Sequence, residues 1–122
     1  NASGQLGDST TTARNRSGLV PGLTGVAQIA LGQSHSCARL MDGTVRCWGA
    51  NTTGQLGDGT RINRPTPTVV PGLSGVVHLA LGGGHTCARL PDGTVRCWGD
   101  NTYGQLGDGS TSNRETPTPV MW

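Results

Sequence analysis

The residues with chemical potential come in two matched sets. "HSCARLMDGTVRCWG" spans 35–49 and "HTCARLPDGTVRCWG" spans 85–99, each with a His, a Cys two residues on, and a second Cys ten residues after the first. Three chemistries are open to such a set: a metal site, a redox dithiol, or a staple. A metal site would need His35, Cys37 and Cys47 on one ion, and a thioredoxin-like redox pair needs Cys-x-x-Cys, a spacing the chain lacks. The turn between the cysteines bears on the choice. A two-residue Asp42-Gly43 loop would pair Ala38 with Cys47; a three-residue Met41-Asp42-Gly43 loop pairs Cys37 with Cys47. Pro91 stands at the Met41 position in the second set. Proline is favoured as the second residue of a type I turn, and Gly93 then supplies the left-handed residue that closes a three-residue loop. In the shorter loop, Pro91 would fall at a paired strand position and lose an inter-strand bond. Opposed residues of an antiparallel pair have α-carbons about 4.5–5.5 Å apart, within the roughly 4.4–6.8 Å that a disulfide spans. The register therefore favours Cys37–Cys47 and Cys87–Cys97 bridges, which places the chain in an oxidising compartment, extracellular or at the cell surface. Buried free thiols and a Cys/His metal or redox site remain as alternatives.

The other reactive side chains read as structural. His35 and His85 follow Gly-rich turns, "GQSH" and "GGGH", where packing or a backbone hydrogen bond is the expected role; His78 has Gln28 as its counterpart and stands alone. Asp58 and Asp108 in "GQLGDG" could suggest calcium, but an EF-hand-type loop needs several acidic positions and a closing Glu, so the Asp and Asn of this motif are expected to cap turns through side-chain to backbone bonds. The chain has no Lys and no phosphate-binding loop. Trp48 and Trp98 are expected to pack between elements. Arg39, Arg46, Arg89 and Arg96 are expected to be solvated or paired with Asp. No nucleophile, base and orienter come together, so no catalytic residue and no cofactor is expected.

These residues are positioned by a repeat. "NASGQLGDST" (1–10), "NTTGQLGDGT" (51–60) and "NTYGQLGDGS" (101–110) are one motif three times, and Cys37 and Cys87, His35 and His85, and Trp48 and Trp98 recur at a spacing of fifty. Residues 25–74 and 75–122 are two units; residues 1–24 are the second half of a preceding one, with Asn15 and Ser17 where Pro65 and Pro67 stand later. Each unit reads as four short strands. "GVAQIALG" and "GVVHLALG" are apolar runs bounded by Gly, the pattern of strands buried on both faces, with position 28/78 tolerant of exchange. The Asp-Gly hairpin supplies two more strands. The Pro-punctuated "RPTPTVVPGL" suits an outer edge strand, because proline cannot donate to a ladder. Gln55, Leu56, Gln105 and Leu106 belong to the turn motif. Helical periodicity is absent. Fifty residues with four strands is the size of a propeller blade.

Composition sets further limits. Twenty-one glycines and seven prolines make up nearly a quarter of 122 residues, and the net charge is +2. The nine basic residues, all Arg, are spread along the chain, whereas nucleic-acid binding calls for a basic stripe. No apolar run is long enough to span a bilayer, and no leader or lipidation signal is present, so the sequence reads as a mature protein or a fragment.

"VVHLALGGGHTCARLPDGTVRCWGDNTYGQLGDG" (76–109) resembles the regulator-of-chromosome-condensation repeat: an apolar strand, Gly-x-x-His-Ser/Thr, a D-G hairpin, Trp-Gly, then Asn-x-x-Gly-Gln-Leu-Gly. The resemblance implies an all-β fold of four-stranded antiparallel blades, here about two and a half blades of a seven-bladed β-propeller, and its Cys-containing form resembles bacterial members, often secreted. Arg39 and Arg89 depart from the family's apolar residue, and Val120-Met121-Trp122 departs from Val-Pro-Gly-Leu. The function implied is a non-enzymatic scaffold for protein interaction or self-assembly, with no nucleic acid and no membrane insertion. The rival, guanine-nucleotide exchange, relies on a protruding insertion within a blade, and the unbroken fifty-residue period leaves no room for one. Two and a half blades cannot close a ring, so the chain is expected to belong to a longer propeller or to self-associate head to tail through its strand edges.

Overall fold

The structure, a computed structural model, describes residues 1–121; the last residue of the Val120-Met121-Trp122 departure lies outside them. Eight strands form two four-stranded antiparallel sheets in sequence order, and the described residues contain no helix. The first sheet holds β1 (Val26–Leu31), β2 (His35–Leu40), β3 (Val45–Gly49) and β4 (Arg64–Val69); the second holds β5 (His78–Leu81), β6 (His85–Arg89), β7 (Val95–Gly99) and β8 (Arg114–Pro119). Each sheet is a propeller blade, and the chain is an all-β propeller segment.

Local chemistry explains the strand ends. The β2–β3 hairpin closes through Gly43 N–H to the Leu40 carbonyl at 2.9 Å and Leu40 N–H to the Thr44 carbonyl at 2.9 Å, a three-residue loop; Leu90, Gly93 and Thr94 repeat it. Gly43 and Gly93 have φ of 82° and 86°, the left-handed region where glycine carries no side-chain penalty. Asp42 and Asp92 accept from the backbone N–H and hydroxyl of Thr44 and Thr94, so the aspartates are turn caps. The Pro-rich segments form the outer strands β4 and β8, each joined to the sheet on one side only.

The core lies between the blades. Cys37, Val45 and Cys47 of the first blade share one buried cluster with Leu79, Ala88 and Trp98 of the second, sealed by Leu56 and by Val70, Leu73 and Val76 of the connection. A blade has two faces, and strand alternation assigns successive residues to opposite ones.

Two expectations need correction. First, β1 is not buried on both faces: Ile29 and Leu31 are 50% and 68% exposed, whereas Leu79, the counterpart of Ile29, is 2% exposed. The second blade has the first lying against it; the corresponding face of β1 has only residues 1–24, and these form no strand. Second, position 28 is not freely exchangeable. The Gln28 carboxamide donates to the Leu79 carbonyl at 2.9 Å and accepts from the Leu79 N–H at 3.0 Å. It thereby satisfies both free backbone groups of one residue on the inner edge strand β5, a two-point grip on a single residue that an imidazole at position 78 cannot reproduce with its separated nitrogens. Of the hairpin arginines, expected to be solvated or paired with Asp, none forms an ion pair among the described residues, and Arg89 is exposed to solvent. Arg39 donates to Gln28 at 3.3 Å and Arg46 Nε is buried without a partner. Arg14, Arg64 and Arg114 take the carboxylates instead, pairing with Asp8, Asp58 and Asp108, because the turn motif brings those residues together within six positions.

Candidate functional site

The turn motifs and the Gly-x-x-His turns gather at one end of the blades. Asn51 organises the 51–60 loop from within: its carboxamide donates to the Thr60 and Ile62 carbonyls at 3.0 Å and accepts from Leu56 N–H at 3.0 Å. Asn101 does the same for 101–110, and Asn1 for 1–10. The motif's leading Asn is therefore the pivot of the loop, bonding its backbone from within as expected of a turn-capping Asn, and it recurs at 1, 51 and 101.

The organised loop reaches across to the next blade. Trp98 lies against Gly57, where an added Cβ would sit 2.6 Å from the indole nitrogen, and Gly59 N–H donates to the Glu115 carbonyl of β8 at 2.9 Å. Residues 1–10 make the equivalent contacts with the first blade: an added Cβ on Gly7 would sit 2.7 Å from the Trp48 indole nitrogen, and Ser9 N–H donates to the Pro65 carbonyl of β4 at 3.0 Å. Trp48 Nε1 and Ser36 Oγ both donate to the Gln5 carbonyl, at 2.8 and 2.9 Å. Thr86 Oγ1 donates to the Gln55 carbonyl at 2.8 Å, while Trp98 Nε1 has no acceptor among the described residues.

His35 completes this junction. It is 1% exposed, and its Nε2 lies 2.9 Å from Thr86 Oγ1. Thr86 donates to Gln55, so its hydroxyl oxygen is left to accept from the imidazole. Burial, with a smaller push from His85, lowers the His35 pKa to about 4, which keeps the ring neutral. Asp58 is acted on in both directions. Burial raises it, but hydrogen bonds from Thr60, Arg64 and Asn51 outweigh that and hold it below the ordinary carboxylate value. Asp108 is driven lower still by the Ser110 hydroxyl and Arg114.

The cysteines face each other in register, Cys37 with Cys47 and Cys87 with Cys97, with sulfurs 2.10 and 2.07 Å apart. The structure thus places both pairs at bonding distance. Gln55, Leu56 and Leu106 are buried in the turn motifs, and Gln105 is half-buried. Among the described residues no three His, Cys, Asp or Glu side chains come together to hold a metal ion, and no helix is long and apolar enough to cross a membrane.

The loop end is open. A polar cleft of about 560 Å³ runs between the two blades there, bordered by Gln33, Thr53, His85, Asp100 and Tyr103. Tyr103 is 89% exposed at its rim. What these parts make together is a repeat module in which each loop fastens the following blade and leaves a polar loop face towards solvent: a β-propeller repeat protein.

Sequence and structure comparisons agree. The Regulator of chromosome condensation (RCC1) repeat matches residues 42–89 and 92–122, and a second description of the same repeat matches 26–55 and 76–105. The chain belongs to the regulator of chromosome condensation repeat family. No curated protein matches it. Among solved structures, human WBSCR16 shares 27% identity at a TM-score of 0.85, covering 100% of this chain and 33% of that one. Prp20p from Saccharomyces cerevisiae, solved in a study of its binding properties to Gsp1p and histones, shares 26% identity at a TM-score of 0.72, covering 84% of this chain and 25% of that one. Yeast RCC1 (Prp20) bound to Kap60 gives 26% and 0.69 over 80% and 23%. The chain spans a third or less of the length of these structures.

Proposed function

We propose that the chain is a non-enzymatic propeller segment that works as a scaffold for protein interaction. The observation that carries this reading is that most of the residues best suited to chemistry are already engaged, while His85 borders the open cleft. His35 is buried against Thr86, the cysteines face one another at bonding distance, and Asp58 and Asp108 are held in turns and ion pairs. What stays open is the polar loop face with Tyr103, the kind of site where a scaffold of rigid blades carries recognition. The yeast relative's binding to Gsp1p and histones supports a protein as the partner class. Within this reading His35, His85, Trp48, Trp98, Gln55, Leu56, Gln105 and Leu106 are blade-joining residues, and Cys37–Cys47 and Cys87–Cys97 are staples. The two paired sets support work in an oxidising, extracellular setting.

The test is to capture protein partners by crosslinking and map them by hydrogen exchange. Protection is expected over 51–60, 83–85 and 101–110, with Tyr103→Arg weakening binding at least tenfold. Binding confined to the outer strands, or a hydrolytic or redox turnover lost in His85→Ala, would overturn the reading.

A further inference from the structure

The outer strands carry one short motif in both blades. "RPTPTV" (64–69) and "RETPTP" (114–119) each set a threonine directly before a proline, Thr66-Pro67 and Thr116-Pro117, with a second threonine two residues on. The ladder is irregular at that point. Cys47 opposes Thr68 and Gly49 opposes Arg64, so residues 65–67 stand opposite Trp48 alone; Cys97 with Thr118 and Gly99 with Arg114 repeat the shift. Thr66 and Thr116 are the central residues of these bulges. A bulge leaves its extra residues without cross-strand partners and re-aims their side chains.

The two threonines of each strand are thereby sorted. Thr66 and Thr116 are exposed, whereas Thr68 and Thr118 are half-buried. The Thr68 hydroxyl donates to the Thr66 carbonyl at 3.1 Å and the Thr118 hydroxyl to the Thr116 carbonyl at 3.0 Å; the Thr66 and Thr116 hydroxyls hold no hydrogen bond among the described residues. Thr66 is displayed with a neighbour on either side. Ser9 N–H of the preceding turn motif holds the Pro65 carbonyl at 3.0 Å and the second blade is stacked on the first, yet Thr66 stays open. Gly59 N–H holds the Glu115 carbonyl beside Thr116 in the same way. The outer edge is also kept clear. Each outer strand is joined to its sheet on one side only, and Pro65, Pro67, Pro117 and Pro119 cannot donate to an added strand.

We propose that Thr66 and Thr116 are O-glycosylation sites, each taking a hexose from a glycosyl phosphate donor held by a transferase. In the step, Thr Oγ1 bonds to the anomeric carbon while the sugar–phosphate bond breaks. The phosphate leaves with that bond's electron pair, and the hydroxyl proton passes to a base of the transferase. Three features match what the transfer needs. The hydroxyl is not already bonded, the backbone before each proline is extended on an outside edge, and proline-flanked threonine is the composition of O-glycosylated segments. Thr-Pro also suits phosphate, but the facing cysteines favour sugar, because they set the chain where disulfides persist. The inference goes beyond the scaffold reading and shares with it only the oxidising setting. Sugar at these positions coats the outer wall of the blades and leaves the loop face free.

The test is peptide mapping by electron-transfer fragmentation of the protein isolated from its native source, alkylated without reduction so that one digest also reads the cysteines. A hexose mass is expected on Thr66 and on Thr116, with Thr68 and Thr118 bare. Thr66→Ala, made in the same source, should lose the sugar from its own peptide while Thr116 keeps it, and Thr66→Ser should retain it. Phosphate in place of sugar would overturn the inference. So would sugar on Thr68 or Thr118, or its transfer to Thr68 in Thr66→Ala, since the bulge would then not select the hydroxyl. Bare threonines would overturn it too. With paired cysteines they leave the scaffold reading and its Tyr103 test untouched; with free thiols they remove the extracellular setting as well.

Discussion

Acid should loosen the blade junction through His35. The ring is buried beside Thr86, and burial holds its pKa at about 4 against an ordinary value of 6.5. A base whose folded pKa lies below its unfolded one binds fewer protons when folded, so stability rises with pH between the two values. The contribution is fully present above about pH 6.5 and is lost as pH falls towards 4. At about 1.4 kcal/mol per pH unit, the loss across that window is about 3 kcal/mol. The lowered carboxylates act elsewhere on the scale: a depressed Asp58 contributes stability above its ordinary value of 3.8 and loses it below. The interval from 6.5 to 4 thus isolates the imidazole. The assay is urea denaturation of the parent and of His35→Gln at pH 7.5, 6, 5 and 4, with the His35 titration followed by NMR. The parent should lose about 3 kcal/mol more than His35→Gln on acidification, while the His35 resonances stay neutral down to about pH 4. A difference that is flat across the window, or a His35 titrating near 6.5, would refute the reasoning, because the ring would then be solvated and not sealed between blades.

Four more outcomes follow from the same contacts. Non-reducing peptide mapping should recover Cys37 with Cys47 and Cys87 with Cys97, and reduction should cost about 2–3 kcal/mol per pair; a Cys37–Cys87 link would contradict the register. Gly93→Val should lower stability by about 1–2 kcal/mol through its positive φ alone, and Gly43→Val by more, because its Cβ would lie 2.7 Å from Gly75; equal denaturation midpoints would contradict this. Gln28→Ala should cost about 1–3 kcal/mol and speed exchange of the Leu79 amide, whose acceptor it removes. Trp48→Phe should cost about 1 kcal/mol more than Trp98→Phe in urea denaturation, since only Trp48 has a hydrogen-bond acceptor for its indole N–H.

The hairpins were legible in the sequence because their causes are local. Pro91, Gly93 and Asp92 lie within three residues of one another, and turn chemistry at that range sets which residues of β6 and β7 oppose each other; the facing cysteines follow from it. The Pro-rich outer strands and the fifty-residue unit were equally readable, since proline's missing donor and a repeated motif need no tertiary partner. What the period concealed is that a unit is finished only by its neighbour. Gln28 grips Leu79 fifty-one positions away, His35 meets Thr86 at the same distance, and Gln5 reaches Trp48 across forty-three. No local pattern encodes these pairings. They arise because two twisted sheets stack and bring corresponding positions of successive repeats into contact. For the same reason the apolar run of β1 was read as buried and is half open: hydrophobicity states what a strand can cover, and only the stacking of blades decides whether anything lies against it.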